Sequence, residues 1–313
     1  MVTNQLSRTR WKALGLVIVS SSTMTAFSQL SVQASAPDPF PSLTQSTTPV
    51  TPLAAKNLSA LALITTTSEP ITGSFGSSAW SLQDGTLTIG PGDFANHTTN
   101  KSPWDNYKAQ ITKIEITGPV TFNTAATGLF AGLGNLTQID GLDQVDTSRT
   151  TNLNDLFNSD SQLTNLTGVQ RWDTSKVRSL DRTFFATALV GTLDLRRWDV
   201  GSLTSGAMAF GRVGAIDDHG QHLFKLLNLS GWNFQASKVS LATFGYLLQA
   251  QSIDTSNWQN TSHITSMDSM FTLAGINDID ISSFDMRNLG TSSGGTWRMF
   301  NSAMLLKELK LGP

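Results

Sequence analysis

The sequence predicts an α/β solenoid, and three observations carry that prediction. Apolar anchors recur at a fixed period, an alternating apolar pair precedes each anchor, and an apolar set at helical spacing follows it. The anchors are Val145, Trp172, Trp198, Trp232, Trp258 and Phe284, separated by 27, 26, 34, 26 and 26 residues; the 34 is one repeat plus an eight-residue insertion. A second column, Phe157, Phe184, Phe210, Phe244, Phe271 and Phe300, follows at offsets of 12, 12, 12, 12, 13 and 16, and Phe130 reads as a degenerate copy upstream.

Within a repeat, Leu193 and Leu195 before Trp198, Leu227 and Leu229 before Trp232, and Ile279 and Ile281 before Phe284 alternate with period two, which predicts a strand. After the anchor comes a polar turn such as Asp173-Thr174-Ser175. Then Val177, Leu180 and Phe184, or Ile264, Met267 and Phe271, stand at i, i+3 and i+7, which predicts a short helix with Thr174 or Ser175 capping its start. The expected unit is strand, turn, helix. Units of this kind stack into a leucine-rich-repeat-like solenoid, with Trp172, Trp198, Trp232, Trp258, Phe284 and the Phe column as its core.

The elements ahead of the repeats follow in order. Residues 1–34 read as an export signal, with Arg8, Arg10 and Lys12 preceding the apolar run Ala13 to Val19 and small residues ending at Ala34. The run is shorter than the roughly 20 residues a membrane span needs. Residues 35–70, with Pro37, Pro39, Pro41, Pro49 and Pro52, read as a Pro/Ser/Thr-rich linker. Residues 71–124 read as a small β-rich N-terminal cap, in which Trp80-Ser81-Leu82, Asp84-Gly85 and Leu87-Thr88-Ile89 spell a hairpin, and Ile111, Ile114 and Ile116 a further strand. The solenoid is expected over 125–313. Leu305 to Leu311 matches the strand that precedes an anchor, and no anchor follows before Pro313, so a truncated final repeat is expected.

Charge is sparse: Asp, Glu, Lys and Arg make up 14% of the chain, against about 25% in average domains. Without the three positive charges of the export signal, 18 Lys plus Arg face 23 Asp plus Glu, a net charge of −5 that argues against nucleic acid as partner. No cysteine is present, so an exported chain must be held by its core alone.

The repeats resemble the BspA-like leucine-rich repeat surface proteins of lactic-acid and related Gram-positive bacteria. The resemblance rests on Trp172-Asp173-Thr174-Ser175-Lys176-Val177 and Ser266-Met267-Asp268-Ser269-Met270-Phe271, and it extends over about Ile71 to Pro313. It implies an exported, surface-displayed adhesin or interaction protein, whose partners would be host extracellular-matrix or mucosal proteins or glycans, or molecules on neighbouring cells. Trp232-Asn233-Phe234 and Trp258-Gln259-Asn260 lack the Asp, and Trp198-Asp199-Val200-Gly201 lacks the hydroxyl residues.

No catalytic constellation stands out, and no cofactor or metal is expected. The insertion carries Asp217, Asp218, His219 and His222, which read as a polar loop and a possible ligand-contact site rather than a metal centre. Asp173, Asp199 and Asp285 sit at a fixed place beside their anchors, which suits turn formation better than acid–base chemistry. The expectation is therefore a non-enzymatic binding protein. Two alternatives stand beside it: the targeting part of an extracellular wall-associated enzyme, or a structural surface-layer component.

Overall fold

The computed structural model describes residues 69–236, 238–242, 249–272, 275–289 and 295–312, which wind into a β-solenoid of about eight coils. The export signal, nearly all of the linker and Phe244 lie outside the described residues. The chain enters through antiparallel strands Ile71–Phe75, Ser78–Gln83 and Thr86–Ile89. Asp84 and Gly85, both at positive φ, close the second hairpin. Pairing then turns parallel, from Thr86–Ile89 to Lys113–Ile116 and on to Gln138–Asp140. The same side of the coil continues as Gly191–Asp194, Phe224–Asn228 and Ala250–Asp254, and then as Asp278–Ile281 with Glu308–Leu311.

A second parallel ladder runs through Gly92–Asp93, Val120–Thr121 and Val145–Asp146. Single bridges extend it from Ala125 through Asn152, Ser179 and Ser205 to Ser240. Threonines line the turns, where their hydroxyls donate to the carbonyl one coil back: Thr137 to Thr112, Thr164 to Thr137, Thr151 to Thr124 and Thr204 to Arg178. The Ser/Thr-rich surface is thus part of the ladder between coils.

The core consists of columns of like side chains. Leu193, Leu195, Leu227, Leu229, Ile253, Ile279 and Ile281 point inward from the strands and are buried. Trp172 stacks on Trp198 at 6.3 Å, Trp232 on Trp258 at 5.9 Å, and Trp258 on Phe284 at 4.9 Å, with planes within 12° of parallel. Phe130, Phe157, Phe184 and Phe210 form a second stack with centroids 5.2–5.8 Å apart. Phe271 likewise stacks on a half-buried Phe300 at 5.6 Å. Each such pair adds about 0.5–1.5 kcal/mol beyond area burial. The indole N–H groups bind the columns across coils: Trp172 donates to the Leu142 carbonyl, Trp198 to Val169, Trp232 to Leu195 and Trp258 to Leu229, at 2.8–2.9 Å.

The expected strand-turn-helix unit, and with it the α/β class, is corrected by the structure. Among the described residues helical structure is confined to four three-residue 3-10 turns, at Asp105–Tyr107, Leu142–Gln144, Val169–Arg171 and Thr261–His263. Where the helix was expected, Leu180, Arg182, Phe184 and Ala186 give their N–H groups to Ser205, Ala207, Ala209 and Gly211 of the next coil. Leu153, Asp155, Phe157 and Ser159 do the same toward 179–185. An α-helix would turn these donors back on its own chain. Two left-handed residues four apart, Asp155 and Ser159 or Arg182 and Ala186, fold the segment into consecutive tight turns instead. Such turns also bring every third or fourth residue inward, so the apolar spacing fits both solutions. The expected cap is replaced as well: Thr174 donates its hydroxyl to the Asp199 carbonyl one coil on, and Ser175 donates its N–H and hydroxyl to Asp173.

Candidate binding surface

The eight-residue insertion forms a small hairpin. Ile216 bridges His222 in antiparallel register, and the Leu223 N–H donates to the Ala215 carbonyl at 2.8 Å. The tip closes on Asp217, whose Oδ1 accepts from the backbone N–H groups of His219 and Gln221 at 2.9 and 2.8 Å. Asp218 and His219 are exposed and His222 is half-buried, its Nδ1 without a hydrogen-bond partner among the described residues. Asp217, Asp218, His219 and His222 thus share one hairpin. Yet among the described residues no three His, Cys, Asp or Glu side chains gather as a metal ion would require. Beside these polar groups the hairpin exposes Ile216 (51%) and Leu223 (36%), which sequence reasoning passed over. The ladder register could have found Leu223, because it stands next to Gly191 on the preceding coil.

The carboxylates beside the anchors form turns. Asp173 accepts from Ser175, Asp199 from the Gly201 N–H, and Asp285 from the Arg287 N–H and guanidinium. The Ser175 hydroxyl and N–H hold the Asp173 carboxyl below the ordinary range. Hydrogen bonds from Arg287 take Asp285 down to about 2. Such groups are locked in their ionised form and already bonded, a poor starting point for proton transfer. His97 and His263 each donate from Nδ1 to a carbonyl of another coil, Thr127 and Phe234 respectively.

Two further carboxylates were not legible in the sequence. Asp155 is buried and takes a two-pronged contact from Arg182, Nε to Oδ1 at 2.6 Å and Nη2 to Oδ2 at 3.0 Å; both residues occupy the left-handed position of their turn. Asp160 is fully buried: Oδ1 accepts from the Leu133 N–H at 2.8 Å, while Oδ2 has no partner among the described residues. Burial pushes the Asp160 carboxyl well above the ordinary range.

Residues 124–223 and 219–309 each match the family described as "Mycoplasma protein of unknown function, DUF285". The chain belongs to that family. Two solved structures are similar to this DUF285 chain. One is a leucine-rich repeat protein from Eubacterium ventriosum ATCC 27560, 12% identical, covering 78% of this chain and 86% of that one with a TM-score of 0.29. The other is a leucine rich cell surface protein from Faecalibacterium prausnitzii A2-165, 13% identical, covering 79% and 96% with a TM-score of 0.18. No curated protein matches the chain. In the DUF285 repeats Asp173, Asp199, Asp285, Asp155, His97 and His263 are taken up by bonds within the coils. Among the described residues the rest of the surface is a polar, weakly charged ladder, the hairpin at 216–222, and exposed apolar side chains near the end of the chain such as Trp297 and Met304.

Proposed function

We propose that this chain is an exported, surface-displayed binding protein of the BspA-like kind, an adhesin rather than an enzyme. Its partners are host extracellular-matrix or mucosal proteins or glycans, or molecules on neighbouring cells. One observation carries the reading: the repeated Trp and Asp residues are spent on stacking, cross-coil bonds and turns, and the departure from the repeat is the projecting hairpin with Ile216, Leu223 and His219 on its surface. Extended repeat surfaces bind by area and shape, with a few exposed anchors supplying most of the energy.

The test is binding of the chain to immobilised matrix proteins, mucin and a glycan panel, alongside a variant in which residues 216–222 are replaced by Asn-Gly. Ala215 and Leu223 stay, since they bond to Leu189, Gly191 and each other, and a two-residue turn closes such a pair. Saturable binding lost in a variant that keeps its thermal transition supports the reading. Equal binding by both proteins moves the site off the hairpin, and no binding by either removes the adhesin reading.

A further inference from the structure

Among the described residues, parallel pairing in the first ladder is interrupted ahead of Gly191–Asp194, as it is again between Ala250–Asp254 and Asp278–Ile281. Gln138–Asp140 bridges the next coil through Asn165, and the Val190 N–H then donates to the Thr164 carbonyl at 3.1 Å. In a regular parallel ladder the next donors toward that coil would be Thr192 and Asp194, because alternate residues face alternate neighbours. Their fellows Gly191 and Leu195 already donate forward, to Leu223 and Asn228. The acceptors in register for Thr192 and Asp194 are the carbonyls of Leu166 and Gly168. Both are turned away into the Val169–Arg171 turn, Leu166 accepting from the Val169 N–H and Gly168 from Arg171. Asn165 and Gln170 complete the withdrawal by accepting from the N–H groups of Thr167 and Gly168.

The result is a slot. It is pinned at one end by Thr164 and Val190 and at the other by the Trp198 indole on Val169, and no hydrogen bond joins 165–168 to 191–195 between those pins among the described residues. The slot encloses about 230 Å³. A second hollow of about 180 Å³, sharing Asn165, Thr167 and Gln170, continues it toward Asp140 and Asp143. Strand alternation turns the N–H groups of Thr192 and Asp194 toward this slot, and Thr192, Asp194 and Gln170 all line it. Val190, 42% exposed, supplies an apolar wall.

The geometry points to a short neutral saccharide, of one or two rings, as the ligand of this slot; the inference rests on the surface-binding reading and names its ligand class. Three features select that chemistry. The volume is below the roughly 300–1,000 Å³ of pockets for larger ligands, and the pinned ends leave no room to insert a peptide strand between the coils. The lining offers amide, hydroxyl and carboxylate groups close to an apolar surface, which matches hydroxyls alternating with C–H faces. The neighbouring charges are already paired, Asp194 with Arg196 at 3.0 Å, Asp143 with Arg171 at 3.7 Å and Asp140 with Lys113 at 3.0 Å, so an ionic ligand gains no free counter-charge.

The experiment is amide-resolved NMR titration of the whole chain with neutral hexoses, N-acetylhexosamines and their disaccharides. Thr192→Trp is the occluding variant. Gln170→Glu is the second variant; it keeps the acceptor for the Gly168 N–H and removes the donor. Saturable shifts at the Thr192 and Asp194 amides are expected, weakened about tenfold by the loss of one donor in Gln170→Glu and abolished in Thr192→Trp. Shifts absent with every saccharide, unchanged in both variants, or produced instead by an extended peptide overturn the assignment. If Thr192→Trp loses its thermal transition, Gln170→Glu alone decides. Retained binding of Thr192→Trp to mucin or matrix proteins separates the cases: with no saccharide shifts in the parent chain, the slot inference fails and the surface-binding reading stands.

Discussion

The aromatic columns and the hairpin at 216–222 follow opposite rules. Trp198 stacks on Trp172, donates to Val169 one coil back, and packs beside Phe184. The hairpin bonds mainly to itself through Asp217, and reaches the next coil through the His222 carbonyl, which accepts from Gln251. In a solenoid each coil is stabilised by its neighbours, so a lesion in a column is felt by the coils on both sides. A projection fastened at Ala215 and Leu223 leaves that ladder intact. The repeating interior and the attached hairpin are therefore separable, and the separation can be tested residue by residue.

The largest effect is expected inside a column. Trp198→Ala removes a buried indole and one of the two donors to the Val169 carbonyl, the other being the Trp172 N–H, which should cost about 3–5 kcal/mol in chemical denaturation. A loss below about 1 kcal/mol, the size of an ordinary substitution, would mean that the columns do not bind the coils together.

Asp160 sharpens the contrast with the opposite sign. Its carboxyl is raised by burial, whereas in the unfolded chain it ionises near about pH 4. The folded state therefore keeps its proton longer, and stability is whole below the unfolded value and lost as pH rises toward the folded one. Asp160→Asn should melt above the parent chain at neutral pH, with the gap closing as pH falls to about 4. A gap that is constant with pH would show that Asp160 is ionised where it lies. The turn-forming Asp173 and Asp285 work the other way, being lowered by their partners, so that their contribution is present above the ordinary carboxylate range and lost as pH falls below it.

The solenoid, its period, its strands and its core columns were legible because burial imposes the same residue at the same place in every coil. The helix was misread because spacing of three and four is common to an α-helix and to consecutive tight turns. What separates the two is the destination of backbone N–H groups, such as Leu180 to Ser205, and that depends on a neighbour that one repeat read alone does not include. Asp155 and Asp160 were illegible for the same reason, since each is explained by residues about 27 positions away, Arg182 and Leu133. Asp217, Asp218, His219 and His222 were legible as an insertion because they broke the period. The slot beside Thr192 left no such signal, because it arises from carbonyls turned away rather than from a residue type.

The left-handed positions offer a finer test of the turn assignment. Ala186 holds φ at +56°, a conformation that costs an L-residue about 1–2 kcal/mol and glycine almost nothing. Against that, glycine gives up about 0.5–1 kcal/mol of unfolded-state entropy. Ala186→Gly should thus be neutral to stabilising by up to about 1 kcal/mol, whereas Ala209→Gly, in the corresponding segment of the next coil, not at positive φ and buried, should destabilise by about 1 kcal/mol. Equal losses at both sites would restore the helix.

The smallest effect should come from the hairpin itself. Replacing 216–222 by Asn-Gly removes exposed side chains and the two bonds to the His222 carbonyl, from Lys225 and Gln251. It keeps the Ala215 and Leu223 bonds that join the coils. Stability should change by no more than about 0.5 kcal/mol, as for surface substitutions generally, and shortening the loop changes closure entropy only slightly. A melting shift comparable to that of Trp198→Ala would place the hairpin within the ladder, and loss of binding by the same variant would then report unfolding rather than a missing contact surface.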